Sequence, residues 1–287
     1  MSKTKVNETG TVSYRRPLNN QQIKTLHLLY LYRFCTSKQL AYSLNRPNHK
    51  AIQNKLQILE AQGLIGKRYD KSYKLAGRSA EYYITPKGAR ALEKAKPHTT
   101  NTRATNSLYK NKTVSDDFIR HCITVTETAQ NLKNLYGNDD KLILFTKSYM
   151  TQSSCFPAWK PDIHLAIRAT DETPNVHYFV DVWDGTKPFF VSVRKARNYV
   201  NFKAREDWFE NEHYPAILTI CDNELAQKKL NRQIRRILNE QWDDELIFAT
   251  TTTDKIQQAI KPADRIWSKI YADDNPEVVN LRNLLVY

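Results

Sequence analysis

Two neighbouring stretches decide the fold of the first part of the chain: LEAQGLIGKR at residues 59–68 and GRSAEYYITPKGARAL at residues 77–92. A glycine in the first stretch ends a helical pattern, because glycine readily adopts the backbone conformation that closes a helix. Strand-forming runs follow at Leu64–Tyr69 and Ala80–Ile84, with the basic segment DKSYKLAGRS between them. A threonine and a proline then begin a helix over Pro86–Lys96. We therefore predict a β-hairpin with a charged tip, braced by a final helix.

Three helical patterns precede this hairpin. Apolar residues three and four positions apart predict a first helix after Asn19, a second after Thr36 or Ser37, and a third across NHKAIQNKLQILEAQGL, residues 48–64. Three helices followed by a basic hairpin are the plan of a winged helix-turn-helix, and the hairpin resembles the wing of many bacterial winged-helix proteins. We predict that residues 19–97 are a winged-helix DNA-binding domain, preceded by a disordered tail of residues 1–18.

The outward face of the third helix has a composition that favours DNA. No acid interrupts its polar side chains, whereas an ordinary solvated helix mixes acids with lysines. Amide side chains can pair with adenine through two hydrogen bonds, and cations on the hairpin would contact phosphates. The predicted DNA-binding residues are Lys50, Gln53, Asn54, Gln57, Lys67, Arg68, Lys71, Lys74 and Arg78. For Gln53 or Asn54 alone, a neutral surface position is the alternative.

The charge of the chain is unevenly distributed. Residues 1–113 carry 22 lysines and arginines against five acids, whereas residues 114–287 carry 22 against 25. Such asymmetry indicates that one part meets a polyanion such as double-stranded DNA, although a merely soluble basic surface is the alternative. The four cysteines lie far apart, and no signal peptide or run of about 20 apolar residues is present. We expect a cytoplasmic protein without a membrane partner.

The second part of the chain alternates strand and helix patterns. Residues 98–113 lack apolar periodicity and are predicted to be a linker, and residues 114–287 are predicted to be an α/β domain. The predicted helices are 114–136, Val191–Glu210 and Leu225–Glu240. The predicted strands are Lys141–Lys147, Ile163–Ile167, His177–Trp183, Ala216–Cys221 and a last strand, Leu246–Thr250. His121 lies on the apolar side of the first helix and is interpreted as a core residue.

Two carboxylates on neighbouring predicted strands suggest a nuclease-like site. Asp162 follows a proline at the head of one strand, and Asp181 lies near the end of the next, so the two could converge at one end of the sheet. A restriction-endonuclease-like fold holds Mg²⁺ with such a pair, in a pattern that continues from the second acid to a lysine two residues later. Trp183 stands at that lysine position, although Lys187 or Lys195 could substitute.

The candidate catalytic residues are therefore Asp162, Asp181 and Lys187, with the two acids as ligands of Mg²⁺ if the chain is a nuclease. No other cofactor is indicated. The alternative is structural: Asp162 caps a turn, and Asp181 pairs with Arg194 or Arg197.

Five segments in order resemble the replication-relaxation family of plasmids and other mobile elements, over about residues 20–260. They are YYITPKGARAL at 82–92, IRHCITVTE at 119–127, KPDIHLAI at 160–167, YFVDVWDGTK at 178–187 and VRKARNYVNF at 193–202. The resemblance implies a DNA-binding winged helix, a nuclease-like second domain and a role in replication, relaxation or transfer. The family's strand reads acid-x-Asp-x-Gly-Thr-Glu. Here Asp181, Gly185 and Thr186 match it, whereas Trp183 and Lys187 depart from it.

The whole sequence thus predicts an α+β protein, a winged helix-turn-helix followed by a restriction-endonuclease-like α/β sandwich. The favoured function is a DNA-binding accessory protein of a plasmid or mobile element, with a relaxase or replication initiator as a further partner. A Mg²⁺-dependent DNA nuclease or nickase and a winged-helix transcriptional repressor are the alternatives. The oligomeric state, including a homodimer, is left open.

Overall fold

A computed structural model describes residues 17–46, 49–137, 142–151, 153–168, 175–205, 208–209, 213–241, 246–272 and 275–285. The chain has a mixed α and β fold that divides into two compact units, Met1–Thr126 and Glu127–Tyr287. The division therefore falls after the predicted linker rather than within it. Most of the predicted tail, residues 1–16, lies outside the described residues, whereas Leu18 packs against the core of the first unit.

The first unit is mainly helical. Its elements are α1 (Asn20–Tyr32), β1 (Cys35–Thr36), α2 (Ser37–Ser43), α3 (His49–Ala61), β2 (Ile65–Arg68), α4 (Lys71–Leu75), β3 (Glu81–Ile84), α5 (Pro86–Ala95), α6 (Thr102–Ser107), a 3-10 helix (Leu108–Lys112) and the start of α7 (Asp116–Tyr136).

Side-chain caps set the starts of the helices in the first unit. The Asn19 side chain accepts a hydrogen bond from the Gln22 amide at 2.9 Å, and the Gln22 side chain accepts one from the Asn19 amide at 3.0 Å. Thr36 and Gln39 form the same reciprocal pair before α2, and Thr85 caps α5. These caps confirm the predicted helix starts, and each contributes about 1 kcal/mol to stability.

The first unit also contains a three-stranded antiparallel sheet in the order β1-β3-β2. The pair β2 and β3 forms the predicted hairpin, in a register that places Arg68 opposite Glu81. Strand β1 was not predicted, because two residues are too few to show an alternating pattern. Helix α4 was also missed: Asp70 caps it through the amides of Ser72 and Tyr73, and the predicted tip is therefore partly helical.

Residues predicted as a linker contribute to the core of the first unit. That core joins residues from the helices and the sheet, including Leu26, Leu29, Leu56, Ile84 and Leu92. Leu108 belongs to the same cluster, and the buried Asn111 side chain accepts a hydrogen bond from Arg33 at 2.6 Å. Residues 102–112 are thus helical, because one buried leucine and one buried amide anchor a segment that lacks apolar periodicity.

The second unit contains the end of α7 and a seven-stranded sheet. Its other elements are β4 (Leu142–Thr146), α8 (Lys147–Met150), β5 (Ile163–Ile167), β6 (Val176–Trp183), α9 (Phe189–Lys203), β7 (Ala216–Cys221), α10 (Glu224–Gln241), β8 (Phe248–Thr252), α11 (Thr253–Gln258), β9 (Trp267–Ile270), β10 (Glu277–Val279) and a 3-10 helix (Arg282–Leu285).

The sheet has the order β10-β9-β8-β7-β6-β5-β4. Strands β6, β7 and β8 are parallel to one another, and the outer pairs are antiparallel. Parallel neighbours need crossover connections, which α9 and α10 provide. The strand predicted to be the last, observed as β8 and ending at Thr252, is followed by two further short strands, so that prediction was wrong. Their brief sequences, WSKI and EVV, give little periodic signal.

Helices α9 and α10 cover one face of this sheet. Phe179 of β6 packs there with Tyr199 and Val200 of α9 and with Ile234 of α10. Side chains alternate along a strand, so Asp181 lies on the same face as Phe179. Among the helices in the described parts of the chain, none combines the length and the apolar character needed to cross a membrane.

Candidate functional site

Helix α3 buries one side and exposes the other. The three apolar residues predicted to point inward are at most 1% exposed: Ile52, Leu56 and Leu59. The predicted recognition residues occupy the opposite side, where Lys50, Asn54 and Gln57 are exposed and Gln53 is half-buried. The structure therefore presents all four polar side chains on one accessible face, as the sequence pattern predicted. Their role in binding DNA stays a prediction.

The cations of the hairpin divide into two groups. Lys67, Lys71 and Lys74 are exposed, whereas Arg68 and Arg78 are half-buried. Sequence reasoning treated all five alike, because local pattern gives no sign of which cations find partners within the protein. Of these five cations, the three lysines are therefore the ones whose side chains lie mostly in solvent.

Asp116 at the start of α7 holds both arginines. Arg68 contacts one carboxylate oxygen at 3.2 Å, and Arg78 contacts the other at 3.3 Å. Arg68 also donates to the carbonyl oxygens of Lys112 and Val114, at 3.1 and 3.2 Å. The two arginines are therefore structural cations of the first unit in this arrangement.

A buried acid anchors the tip end of the same hairpin, where β3 begins. Glu81 accepts a hydrogen bond from the Tyr73 hydroxyl at 2.7 Å and pairs with Arg78 at 3.0 Å. The Arg78 guanidinium also lies 4.2 Å from the centre of the Tyr73 ring. Burial and the neighbouring Glu81 raise the pKa of Tyr73 to about 12, which keeps the hydroxyl protonated and donating.

In the second unit, the antiparallel pairing of β5 and β6 brings Asp162 and Asp181 together. Ile163 lies opposite Val180, so the two acids are neighbours at one end of the strand pair. The Asp162 amide donates to an Asp181 carboxylate oxygen at 3.2 Å, and the Val182 amide donates to Asp162 at 2.9 Å. Both acids are buried, with 3% and 8% of their surfaces exposed.

Each acid forms an ion pair with a lysine. Lys147 of α8 pairs with Asp162, and Lys195 of α9 pairs with Asp181. The Tyr199 hydroxyl donates to the second Asp181 oxygen at 2.9 Å, and burial together with Asp181 raises the pKa of Tyr199 well above its usual value. These five residues are called the acid–lysine cluster below.

Two details of this cluster differ from the prediction. Asp181 pairs with neither arginine proposed for it, because both lie on the exposed side of α9: Arg197 pairs with Glu240 at 3.3 Å, and Arg194 lies over the Phe190 ring. Lys147 was missed altogether, because no local spacing rule connects a residue at the end of β4 with an acid at the head of β5.

Lys187, the predicted catalytic lysine, lies beside the cluster. It lines a small cavity of about 40 Å³ together with both acids and Lys195. Partial burial lowers the pKa of Lys187, and the positive charges of Lys147 and Lys195 lower it further. The negative charge of Asp162 acts in the opposite direction but does not cancel the shift.

The acid–lysine cluster does not fit Mg²⁺ as it is arranged. All four carboxylate oxygens already accept hydrogen bonds, from Lys147, Val182, Lys195, Tyr199 and the Asp162 amide. Magnesium needs six oxygen ligands in an octahedron, and two lysine ammonium groups occupy the cation's place beside the acids. Within the described ranges, no group of three His, Cys, Asp or Glu residues is disposed to hold a metal.

A family model described as replication-relaxation matches residues 26–217, more than half of the chain. The chain belongs to the replication-relaxation family. No curated protein and no solved structure gives a significant match.

The replication-relaxation match runs from within α1 to within β7. It therefore includes α3 and the hairpin, the acid–lysine cluster, and all five segments on which the resemblance was based. The family prediction is confirmed. The roles of individual residues stay predictions, because a family match over this length does not assign them.

Proposed function

We propose that this replication-relaxation protein is a DNA-binding accessory protein of a plasmid or other mobile element. It acts in replication, relaxation or transfer through a winged helix formed by residues 19–97. The observation that carries the proposal is the accessible face of α3, where Lys50, Gln53, Asn54 and Gln57 lie together and the one acid of the helix, Glu60, is half-buried in the last turn, on the side of Gln53. The family's name supports the biological role.

The first unit supports this binding mode with two kinds of contact. An α-helix fits the major groove, where Gln53 and Asn54 would reach base edges. Lys67, Lys71 and Lys74 extend from the neighbouring hairpin, where their charges would meet phosphates. Base contacts then give sequence preference, and phosphate contacts give most of the salt-sensitive affinity.

We further propose that the second unit is a restriction-endonuclease-like sandwich whose catalytic centre has become structural. Lys147 and Lys195 neutralise the two acids inside the protein, and the adjoining cavity of about 40 Å³ is too small for a nucleotide. This unit would then hold a partner, such as a relaxase or a replication initiator, near the DNA that the first unit has bound.

A Mg²⁺-dependent nuclease is the second candidate, and one observation favours it. Asp162 and Asp181 are neighbours, with 3.2 Å between the amide of the first and the carboxylate of the second. For this activity both lysines would have to leave the acids. A transcriptional repressor would use the same α3 face and differ only in the DNA sequence that it prefers.

One experiment distinguishes these functions. The purified protein is incubated with supercoiled plasmid, with and without Mg²⁺ or Mn²⁺, and binding and strand integrity are followed on gels. We expect salt-sensitive binding and an intact plasmid. Replacing both Gln53 and Asn54 by alanine should weaken binding by at least about tenfold, since a base pair read by two hydrogen bonds contributes roughly 1–3 kcal/mol.

The matched control is Asn106→Ala, which removes an exposed amide on α6, outside the α3 face. Absence of binding would contradict the proposal. Metal-dependent nicking that is lost in both Asp162→Asn and Asp181→Asn would establish the nuclease instead. Binding confined to one palindromic operator would favour the repressor.

A further inference from the structure

A second, larger cavity lies on the same sheet face as the acid–lysine cluster. Its volume is about 430 Å³, within the range of small-molecule sites. Six rings line it, contributed by β4, β5, β6 and the segments beside them: Phe145, Tyr149, Phe156, His164, His177 and Phe209. It is called the aromatic cavity below. His164 lies two residues beyond Asp162 on β5, so the two sites are about 7 Å apart along the strand.

Several of these rings are parallel. His164 and His177 are inclined by 15° and are joined by a hydrogen bond of 3.0 Å between Nε2 and Nδ1. The Phe145 ring is also inclined by 15° to His164, with 5.7 Å between ring centres. Phe209 is 48% exposed, so one aromatic face is accessible from solvent. Flat, closely spaced rings suit a flat aromatic ligand.

The polar residues of the cavity favour a ligand that is anionic as well as flat. Arg168 and Asn175 line it, and none of the described lining residues is an acid. An arginine binds phosphate through two parallel hydrogen bonds, and an asparagine can both donate to and accept from a base edge. A nucleotide carries the flat ring, the hydrogen-bonding edge and the phosphate that these residues match.

His164 supplies an independent sign of a missing partner. The residue is 3% exposed, and its buried Nδ1 atom has no hydrogen-bond partner among the residues that the structure describes. Burial and the neighbouring His177 lower the pKa of His164 to about 3, so the ring is neutral near pH 7. A neutral imidazole uses one nitrogen as donor and the other as acceptor. The unpaired nitrogen therefore lacks either a donor or an acceptor within a residue that lines the cavity.

We propose that the aromatic cavity binds an unpaired base of single-stranded DNA. In a duplex the bases are stacked and paired, so only a single strand or a flipped base can enter such a cavity. Stacking on the rings would be tolerant of base identity, and Arg168 would contact the backbone. This site goes beyond the proposed function, because it lies in the second unit and does not depend on duplex binding by α3.

The test compares two ligands that have the same charge. The full-length protein is titrated with fluorescein-labelled oligothymidine of about 20 nucleotides and with an abasic strand of the same length, and binding is read by anisotropy. We expect tighter binding of the strand that carries bases. Phe209→Ala should weaken it by about 5- to 150-fold, the range measured for loss of one stacking side chain, and leave the abasic strand unchanged.

Phe190→Ala is the matched control, because Phe190 is 62% exposed on α9 and does not line the cavity. The Trp208 ring gives a second signal, since it meets His177 edge to face with 5.3 Å between ring centres. A base in the cavity should quench tryptophan fluorescence, and Trp208→Phe should remove most of that change.

Equal affinity for the two strands would overturn the inference, as would equal effects of Phe209→Ala and Phe190→Ala. The failure of this inference can be distinguished from that of the proposed function. Loss of duplex binding with retained preference for oligothymidine contradicts only the proposed function. Duplex binding that depends on Gln53 and Asn54, without any base-dependent binding of single strands, contradicts only this inference.

Discussion

Asp116 decides which cations of the hairpin are accessible. Its carboxylate bridges Arg68 and Arg78, yet its side chain is 51% exposed, so each ion pair contributes at most about 1 kcal/mol to stability. A duplex phosphate near the hairpin would compete with this carboxylate for the same two guanidinium groups. The acid should therefore affect DNA affinity more than it affects folding.

We predict that Asp116→Asn tightens duplex binding, roughly three- to tenfold at moderate salt, because two arginines become available for phosphates. Dissociation constants from anisotropy titrations would measure the change. Asp117→Asn is the control, since it removes the same charge from the next residue, which pairs with Arg120 instead. Equal tightening in both variants would show a general effect of net charge. Weaker binding in Asp116→Asn would mean that the acid positions the hairpin for DNA.

His164 should make the stability of the second unit depend on pH. Burial, with the neighbouring His177, lowers its pKa from 6.5 to about 3 in the folded protein, so the unfolded chain takes up a proton at a higher pH than the folded one. The stability is therefore fully present above about pH 6.5 and is lost as the pH falls towards 3. Each pH unit within that window corresponds to about 1.4 kcal/mol.

We predict that the unfolding free energy falls by about 2 kcal/mol more between pH 7 and pH 5 in the natural protein than in His164→Asn. Urea unfolding followed by tryptophan fluorescence at both pH values measures this difference. His213→Asn, which replaces an exposed histidine of the same unit, should behave like the natural protein. An unchanged pH dependence in His164→Asn would show that another group controls it.

At the scale of the element, the hairpin should set the salt dependence of DNA binding. Four exposed lysines are placed to meet phosphates, one on α3 and three on the hairpin: Lys50, Lys67, Lys71 and Lys74. Each phosphate contact adds about −0.9 to the slope of log affinity against log salt, so a slope near −3.6 is expected. If the two arginines that Asp116 holds also met phosphates, the slope would approach about −5.4.

Replacing Lys71 and Lys74 together by glutamine should make the slope shallower by about 1.8, because two phosphate contacts are lost. Gel shifts over a series of salt concentrations measure it. The control replaces Lys94 and Lys96, two exposed cations at the end of α5, and should leave the slope unchanged. If the slope became equally shallow in the two double variants, the phosphate contacts would not be specific to the hairpin.

The elements also show how far the sequence could be interpreted. Helix starts at Asn19, Thr36 and Thr85 were predictable, because a cap is a contact between residues three apart. Strand β1 and helix α4 could not be predicted, since tertiary contacts determine such short elements. In the candidate site, the meeting of Asp162 with Asp181 followed from strand pairing. The roles of Lys147 and Asp116 could not be predicted from the sequence, because their partners lie 15 to 48 residues away.

At the scale of the whole molecule, the tryptophans report on one unit only. All five lie at or beyond residue 159, within the second unit. We predict that Leu56→Ala, in the core of the first unit, lowers the stability of that unit by about 2–5 kcal/mol and leaves the tryptophan-detected transition in place. Circular dichroism would detect the loss of helix, and duplex binding should fall with it.

Ile58→Ala is the control for this substitution, because Ile58 lies on the same helix but is half exposed. Ile58→Ala should change the unfolding free energy by no more than about 0.5 kcal/mol, whether unfolding is followed by circular dichroism or by tryptophan fluorescence. A tryptophan transition that moves together with the helical signal in Leu56→Ala would mean that the two units unfold as one.

The parallel strands β6, β7 and β8 delay completion of the second sheet during protein synthesis. Central strand β7 has both neighbours only after residues up to Thr252 have been made. At 5–20 residues per second, the stretch from Thr126 to Thr252 takes roughly 6 to 25 seconds to translate. The first unit depends on contacts within the first 126 residues and folds faster than that. On the ribosome, the nascent chain therefore has its basic unit folded while the sheet of the second unit is still incomplete.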